Sequence, residues 1–359
     1  MTIESKAGEP ASERTPLTVN ILTGFLGSGK TSLLKRLLAQ PQMSDVAVII
    51  NEFGEVGIDH LLVEEIDEEV VLLKSGCVCC TIRSDLKDAL LNLMGRRARG
   101  EVPPFSRLIV ETTGLADPAP IVATLLADPV LRHQVRLGNI VTVVDAVNGA
   151  ANLETYPESL RQAAVADRLL VSKTDIADAD SIARLDRTLA TINPTAPAIH
   201  LDESVVPEVS LFTSDIHDLG SRTSEVSHWL SSEIDHAHHH HHHHHDVNRH
   251  DGVRAFVLTA DEPVDWARFG LWLSMLLNRH GSDILRLKGI LSIDKVETPV
   301  VIQGVQHLIH KPMHLSAWPD DVVATKIVVI AKRLDPALVE RSFRAFVLSH
   351  SQATDFAAA

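Results

Sequence analysis

The run VNILTGFLGSGKTSLLKRLLAQ, from Val19 to Gln40, constrains the fold of this chain more than any other stretch. An apolar strand leads into a glycine-rich loop, and a helical pattern follows at once. The loop, Gly24 to Thr31, fits G-x-x-x-x-G-K-S/T in the setting that pattern requires, a strand before and a helix after. Gly24, Gly27 and Gly29 let backbone N–H groups, that of Ser28 among them, close around phosphates at a helix N-terminus. Lys30 can reach the β- and γ-phosphates, and Thr31 can offer its hydroxyl to Mg²⁺. Ser32 joins them as a nucleotide-binding residue at the start of the helix. A glycine turn with no phosphate to hold is the plain alternative, and the flanking strand and helix argue against it.

The alternation continues to about His200, where LTVNIL, VAVII, RLIV, IVTVV and RLLV are short apolar runs separated by helical patterns. This βαβ rhythm implies an α/β domain whose mostly parallel, doubly wound sheet is covered by helices on both faces. Between Pro207 and Gly252 the rhythm stops and the chain turns polar and rich in histidine. From Val253, VRAFVLTA alternates like a half-buried strand, and VDWARFGLWLSMLLNRHG reads as an amphipathic helix closed by Gly281. Further strands are expected near residues 289–293 and 326–331. A chain of 359 residues can bury more than one core. The expected layout is a disordered tail at 1–15, a P-loop domain at 16–206, a His-rich linker at 207–252, a smaller C-terminal α+β domain at 253–350 and a tail at 351–359.

Charge narrows the partners. The 33 Lys and Arg against 47 Asp and Glu leave −14, which argues against a nucleic-acid surface. No apolar run approaches the roughly 20 residues of a membrane span, and the polar first residues lack a signal-peptide hydrophobic region. The expectation is a cytoplasmic protein that engages neither nucleic acid nor membrane.

Two further loops follow apolar runs. Ser172-Lys173-Thr174-Asp175 ends RLLV, and a carboxylate there can accept from both N1–H and the exocyclic amine of guanine, a donor pair adenine lacks. The common guanine signature is Asn-Lys-x-Asp, so Ser172 departs from it. A turn in which Asp175 merely caps the next helix is the alternative. Glu111-Thr112-Thr113-Gly114 ends RLIV, at the edge where doubly wound sheets bind ligands. Glu111 can orient the attacking water or hold Mg²⁺ through water, and Gly114 gives the mobile backbone that a γ-phosphate sensor needs.

All three cysteines of the chain lie in KSGCVCC, as Cys77, Cys79 and Cys80. Adjacent thiols staple no distant segments, so a disulfide framework is excluded, and a metal site is favoured over a redox pair or buried packing. Thiolates favour zinc or copper(I) over magnesium, and zinc over cobalt. Whether Cys77 is a third ligand stays open. The tract of His236 and His238 to His245 is a weak, geometry-free metal collector.

Taken together, GFLGSGKT (Gly24 to Thr31), NEFGEVGID (Asn51 to Asp59), GCVCC (Gly76 to Cys80), ETTG (Glu111 to Gly114) and SKTD (Ser172 to Asp175) resemble the CobW-type GTPases, metal-delivering relatives of the hydrogenase and urease maturation GTPases. The resemblance in order and spacing covers about Leu17 to His200, and Val253 to Val347 looks like that family's C-terminal domain. It implies a P-loop GTPase that hydrolyses GTP to GDP with Mg²⁺, carries a transition metal, zinc first and cobalt second, and delivers it to a metal-dependent client. In such proteins the Cys-x-Cys-Cys element lies close to the nucleotide and its metal site responds to nucleotide state. The Asn51 to Asp59 segment would couple the two, with Gly54 and Gly57 as hinges and Glu52 and Glu55 as acidic groups near Mg²⁺ or the second metal. The other readings are a cobalt chaperone for cobalamin synthesis, a nitrile hydratase activator, a metal store or sensor with a structural nucleotide, and an ATP-dependent kinase. Homo-oligomerisation stays open.

Overall fold

A computed structural model describes residues 16–51, 63–67, 70–73, 78–81, 86–201, 209–213, 223, 226–227, 252–319 and 323–348. The expected N-terminal tail, the loop from Glu52 to Asp59, Cys77 and the histidine tract lie outside these residues.

Strand β1 (Leu17–Thr23) is buried along its whole length, as a central parallel strand covered on both faces must be. It pairs in parallel with β6 (Arg107–Thr112) on one side and β7 (Val135–Asp145) on the other. Outward from these lie β2 (Val46–Asn51) and β5 (Val78–Thr81) on the β6 side, and β8 (Arg168–Ser172) and β9 (Ala198–His200) on the β7 side, all parallel. Two more strands, β3 (Val63–Asp67) and β4 (Val70–Leu73), complete the order β3-β4-β5-β2-β6-β1-β7-β8-β9. These two strands run antiparallel to their neighbours. The mostly parallel, doubly wound sheet is thus as expected, with one antiparallel edge. Two residues separate β3 from β4 and four separate β4 from β5, far short of a parallel crossover, so the chain has to double back.

Alternate strand residues feed two cores. Helices α2 (Leu86–Arg99), α3 (Ala119–Ala127), α4 (Gly149–Thr155), α5 (Pro157–Val165) and α6 (Ala179–Ile192) cover Val19, Ile21, Ile49 and Val110. On the opposite face α1 (Lys30–Leu38) and α7 (Ser210–Thr213) cover Leu22, Val48, Ile50 and Val141.

The second sheet is antiparallel, in the order β10 (Val253–Ala260), β15 (Thr325–Lys332), β11 (Ile284–Leu291), β12 (Val300–Val305), β13 (Leu308–Ile309), with β14 (Met313–His314) also on β12. One face packs on α8 (Trp266–His280) and α9 (Pro336–Phe343). The strand expected from 289 begins earlier, at Ile284, and ends at Leu291. Gly281 does follow α8, yet with φ −60 it is right-handed. Its reason is space: a β-carbon there would run into the Leu277 carbonyl and lie 2.8 Å from Cβ of His307. Among the described residues, no helix is long and apolar enough to cross a membrane.

The other face of this sheet packs on the first domain, placing Leu285, Val305 and Ile330 in the core beneath α2 to α6. A register shift between Ile284 and Arg286 lets both Leu285 and Arg286 face that way. Arg286 and Lys288 then meet Asp167, between α5 and β8. The Arg286 Nη2 donates to Asp167 Oδ1 and, at 3.1 Å, to Oε1 of Gln303. Lys288 Nζ lies 2.9 Å from Oδ1 of Asp167, whose Oδ2 accepts from the Ile140 N–H at 3.0 Å. Burial alone would push the Asp167 carboxyl up, but Arg286, Lys288 and the Ile140 N–H together hold it well below the usual carboxylate range. The pKa of Lys288 is also lowered, to about 8, but here the charged form is the one disfavoured, because burial opposes its charge and the Arg286 guanidinium beside it offsets part of the pull of Asp167. One carboxylate between two cations is favoured in its charged form, whereas each cation has half a partner.

Candidate functional site

The phosphate-cradle sequence closes where β1 meets α1. Gly24 has φ 140, and a β-carbon on it would run into the Val143 carbonyl of β7. Gly29, at φ 93, is the left-handed N-cap of α1, a conformation that a side chain would strain. Between them the Ser28 N–H returns to the Phe25 carbonyl at 3.2 Å. Lys30, 8% exposed, donates from Nζ to the carbonyls of Gly24 (2.8 Å) and Phe25 (3.3 Å), so its ammonium arches over the loop. Gly27 and Ser32 lie in the same loop and first helical turn, Gly27 at φ 73. Tyr156, at the start of α5, stacks on Phe25 with ring centroids 4.6 Å apart.

The carboxyl ends of β6 and β8 meet this loop. Thr31 Oγ1 donates to Oε1 of Glu111 at 2.7 Å, and Glu111 is buried near the end of β6. Thr112 Oγ1 donates to Thr23 Oγ1 at 2.8 Å, locking β6 to β1 one residue beyond Glu111. Gly114 lies flush on the loop, since a β-carbon on it would sit 2.7 Å from N and 2.8 Å from Cα of Leu26. The Ser172 hydroxyl donates to the Ser28 carbonyl at 2.7 Å, so the residue standing where Asn is usual ties the β8 end to the cradle.

Lys173 adopts φ 59, the left-handed region, and its Nζ lies 2.6 Å from Oδ2 of Asp145 at the end of β7. Burial pushes the Asp145 carboxyl up, but the Lys173 ammonium and the N–H groups of Val147 and Asn148 outweigh it and hold the carboxyl below its usual range. Asp175 is exposed, two residues beyond Lys173. It does not cap α6, because that role belongs to Asp178, which accepts from the Ser181 N–H at 2.8 Å. The structure therefore brings Gly24, Ser28, Lys30, Thr31, Glu111 and Ser172 into one bonded edge, with Gly114 packed against it and Lys173 and Asp175 on the adjoining loop.

Sequence reasoning missed Asp145, although it ends the apolar run IVTVV just as Glu111 ends RLIV, and that signal could have found it. It also missed Tyr156 and Gln162, for which no local pattern exists.

Cys79 and Cys80 lie on β5, opposite Val48 and Ile49 of β2. Ile49 in turn faces Val110, the neighbour of Glu111 on β6. At about 4.8 Å per strand, Cys80 lies two strands, roughly 10 Å, from the β6 backbone and one row below Glu111. Among the described residues no three His, Cys, Asp or Glu side chains gather as a metal site. Cys77, Glu52 and the histidine tract fall outside those residues.

A cradle of this build at the carboxyl edge of a parallel sheet defines a P-loop nucleotide-binding protein. Residues 18–200 match the nucleotide-binding domain of CobW/HypB/UreG, and residues 253–347 match the C-terminal domain of the cobalamin synthesis protein cobW. The chain belongs to the CobW/HypB/UreG family. It is 31% identical to the zinc chaperone YjiA of Escherichia coli over 91% of this chain and 98% of that protein. It is 29% identical to the zinc-regulated GTPase metalloprotein activator 1 of Schizosaccharomyces pombe over 89% of this chain and 83% of that protein. A crystal structure of Zn(II)-bound YjiA GTPase from E. coli superposes with a TM-score of 0.70 at 29% identity, over 92% of this chain and 99% of that one.

Proposed function

We propose that this protein hydrolyses GTP and uses the cycle to deliver zinc to a metal-dependent client protein. The zinc chaperone and zinc-regulated GTPase relatives, similar over most of their lengths, support this reading. In it, the Gly24 to Thr31 backbone cradles the phosphates and Lys30 turns from the Gly24 and Phe25 carbonyls to the β- and γ-phosphates. Thr31 and Glu111 offer hard oxygens 2.7 Å apart, a donor set that fits Mg²⁺, and Glu52, outside the described residues, is proposed to join them. Mg²⁺ bound with GTP neutralises charge on the β- and γ-phosphates. Glu111 orients the attacking water, and Gly114 reports the γ-phosphate from its place against Leu26.

Lys173 and Asp175 recognise the base. Asp175→Asn replaces one acceptor of the guanine donor pair by a donor, so GTP affinity should fall about tenfold or more while ATP affinity changes little. Competition between the two nucleotides measures this, and unchanged preference for GTP would remove Asp175 from base recognition.

The observation that carries zinc coupling is the register running from Cys80 through Ile49 to Val110, beside Glu111. A change at Glu111 on γ-phosphate loss has two strands to cross to reach the thiols. Replacing Cys79 and Cys80 together by Ser should abolish GTP-enhanced tight zinc binding, because a serine hydroxyl stays protonated near neutral pH and is a poor ligand for a soft metal. GTP binding should survive, since the cradle contains no sulfur. Zinc titrations with GTP, GDP and no nucleotide decide it, and a double variant as tight as its parent with GTP would end the assignment.

A further inference from the structure

We infer that Gln162 is a positioning residue for GTP hydrolysis, holding the loop after Glu111 through two main-chain carbonyls; this rests on the GTPase reading above. Its Nε2 donates to the carbonyl of Gly114 at 3.1 Å and to that of Ala116 at 2.9 Å. The Ala116 N–H closes a turn onto the Thr113 carbonyl at 3.1 Å, so one amide grips both sides of the turn at the end of ETTG. Gln162 is 1% exposed, and its Oε1 has no hydrogen-bond partner among the described residues. Turning the amide over would satisfy neither end, because it would set that oxygen against two carbonyl oxygens. The orientation is therefore forced, and a buried acceptor is left unmatched so that both carbonyls are held.

What Gln162 holds is the part of the loop that touches the cradle. Gly114 abuts the Leu26 backbone, and fixing its carbonyl fixes the Leu115 N–H, which points the opposite way in the same trans peptide. Gln162 is itself well anchored. Its own carbonyl accepts from Thr142 Oγ1 of β7 at 2.7 Å. The Asn193 Nδ2 donates to the carbonyls of Ala163, Ala164 and Ala166, and Asp167 is held by Arg286 and Lys288 of the second sheet. A side chain can position a loop only if its own helix does not move, and α5 is pinned at its far end by both domains.

The test uses the full chain. Gln162→Leu keeps the volume and removes both donors. Its kcat for GTP should fall about a hundredfold, as when a reacting group is misplaced by about 1 Å, while KM and GDP affinity stay within about threefold. In Gln162→Glu a carboxylate faces two carbonyl oxygens, so burial beside them raises its pKa and the protonated form can restore one donor. The turnover of Gln162→Glu relative to the parent should therefore climb as pH falls from 8 to about 6. A Leu variant with parental kcat, or one whose kcat and GDP affinity fall together with its melting midpoint, makes Gln162 a packing residue and overturns the inference alone. A Glu-to-parent ratio that is flat with pH does the same. A parent without GTP turnover overturns the GTPase reading and this inference with it.

Discussion

Lys30→Ala is expected to lower GTP turnover at least a hundredfold to a thousandfold and to weaken GTP binding. The ammonium is nearly buried and arches over the Gly24 and Phe25 carbonyls, and in the proposed reading it would meet the charge that develops on the transferring phosphoryl group. Little water competes there, so the loss is larger than at a surface site. Alanine also leaves the Gly24 and Phe25 carbonyls without the ammonium that they accept from. Phosphate release under steady-state and single-turnover conditions measures the effect. Parental turnover in this variant would refute the assignment of the cradle as a hydrolytic site.

The largest effect on stability should come from Asp167→Ala. It strips the shared anion from Arg286 and Lys288, which are 1% and 3% exposed, and leaves two cations buried without it. Breaking a buried pair from one side costs about 3–5 kcal/mol, a large part of the stability of a typical domain. The joint between the two sheets should loosen first. Because the folded carboxyl titrates well below its unfolded value, its contribution is complete above about pH 4 to 5 and is lost as pH falls toward the folded value. Lys288 adds a second window with the same slope, in base. Its folded value, about 8, lies below that of an unfolded lysine, so stability from this group rises between pH 8 and about 10.5. Denaturant unfolding of the parent and of Asp167→Asn across pH checks both. An Asp167→Asn protein with the parent's stability at pH 7 would show that the carboxylate does not hold the domains together.

How much of this could be read before folding depends on the range over which each signal acts. The cradle, the apolar runs of β1, β2, β6, β7 and β8, and the strand β10 are written in consecutive residues, because a phosphate nest and a buried parallel strand are each built from one short segment. The antiparallel edge was hidden in a connection length, the two residues between β3 and β4. Arg286 and Lys288 carried a faint signal, two cations at period 2 inside the apolar strand ILRLKGIL, which places both on one face. Nothing nearby said that the face was buried or that the anion lay 119 residues earlier.

The sequence by itself determined that a phosphate-cradling loop follows the first strand, that a parallel α/β sheet surrounds it and that the thiols are clustered. Each follows from residue type at fixed short spacing, which local backbone geometry converts directly into structure. Only the tertiary structure decided that Thr31 bonds to Glu111, that Ser172 bonds to the cradle, that Gln162 grips the Gly114 loop and that Asp167 joins the two sheets. Such contacts link residues far apart along the chain. They exist only once strand order and register bring distant carboxyl ends to one edge and bury charges against each other, and no local pattern carries that information.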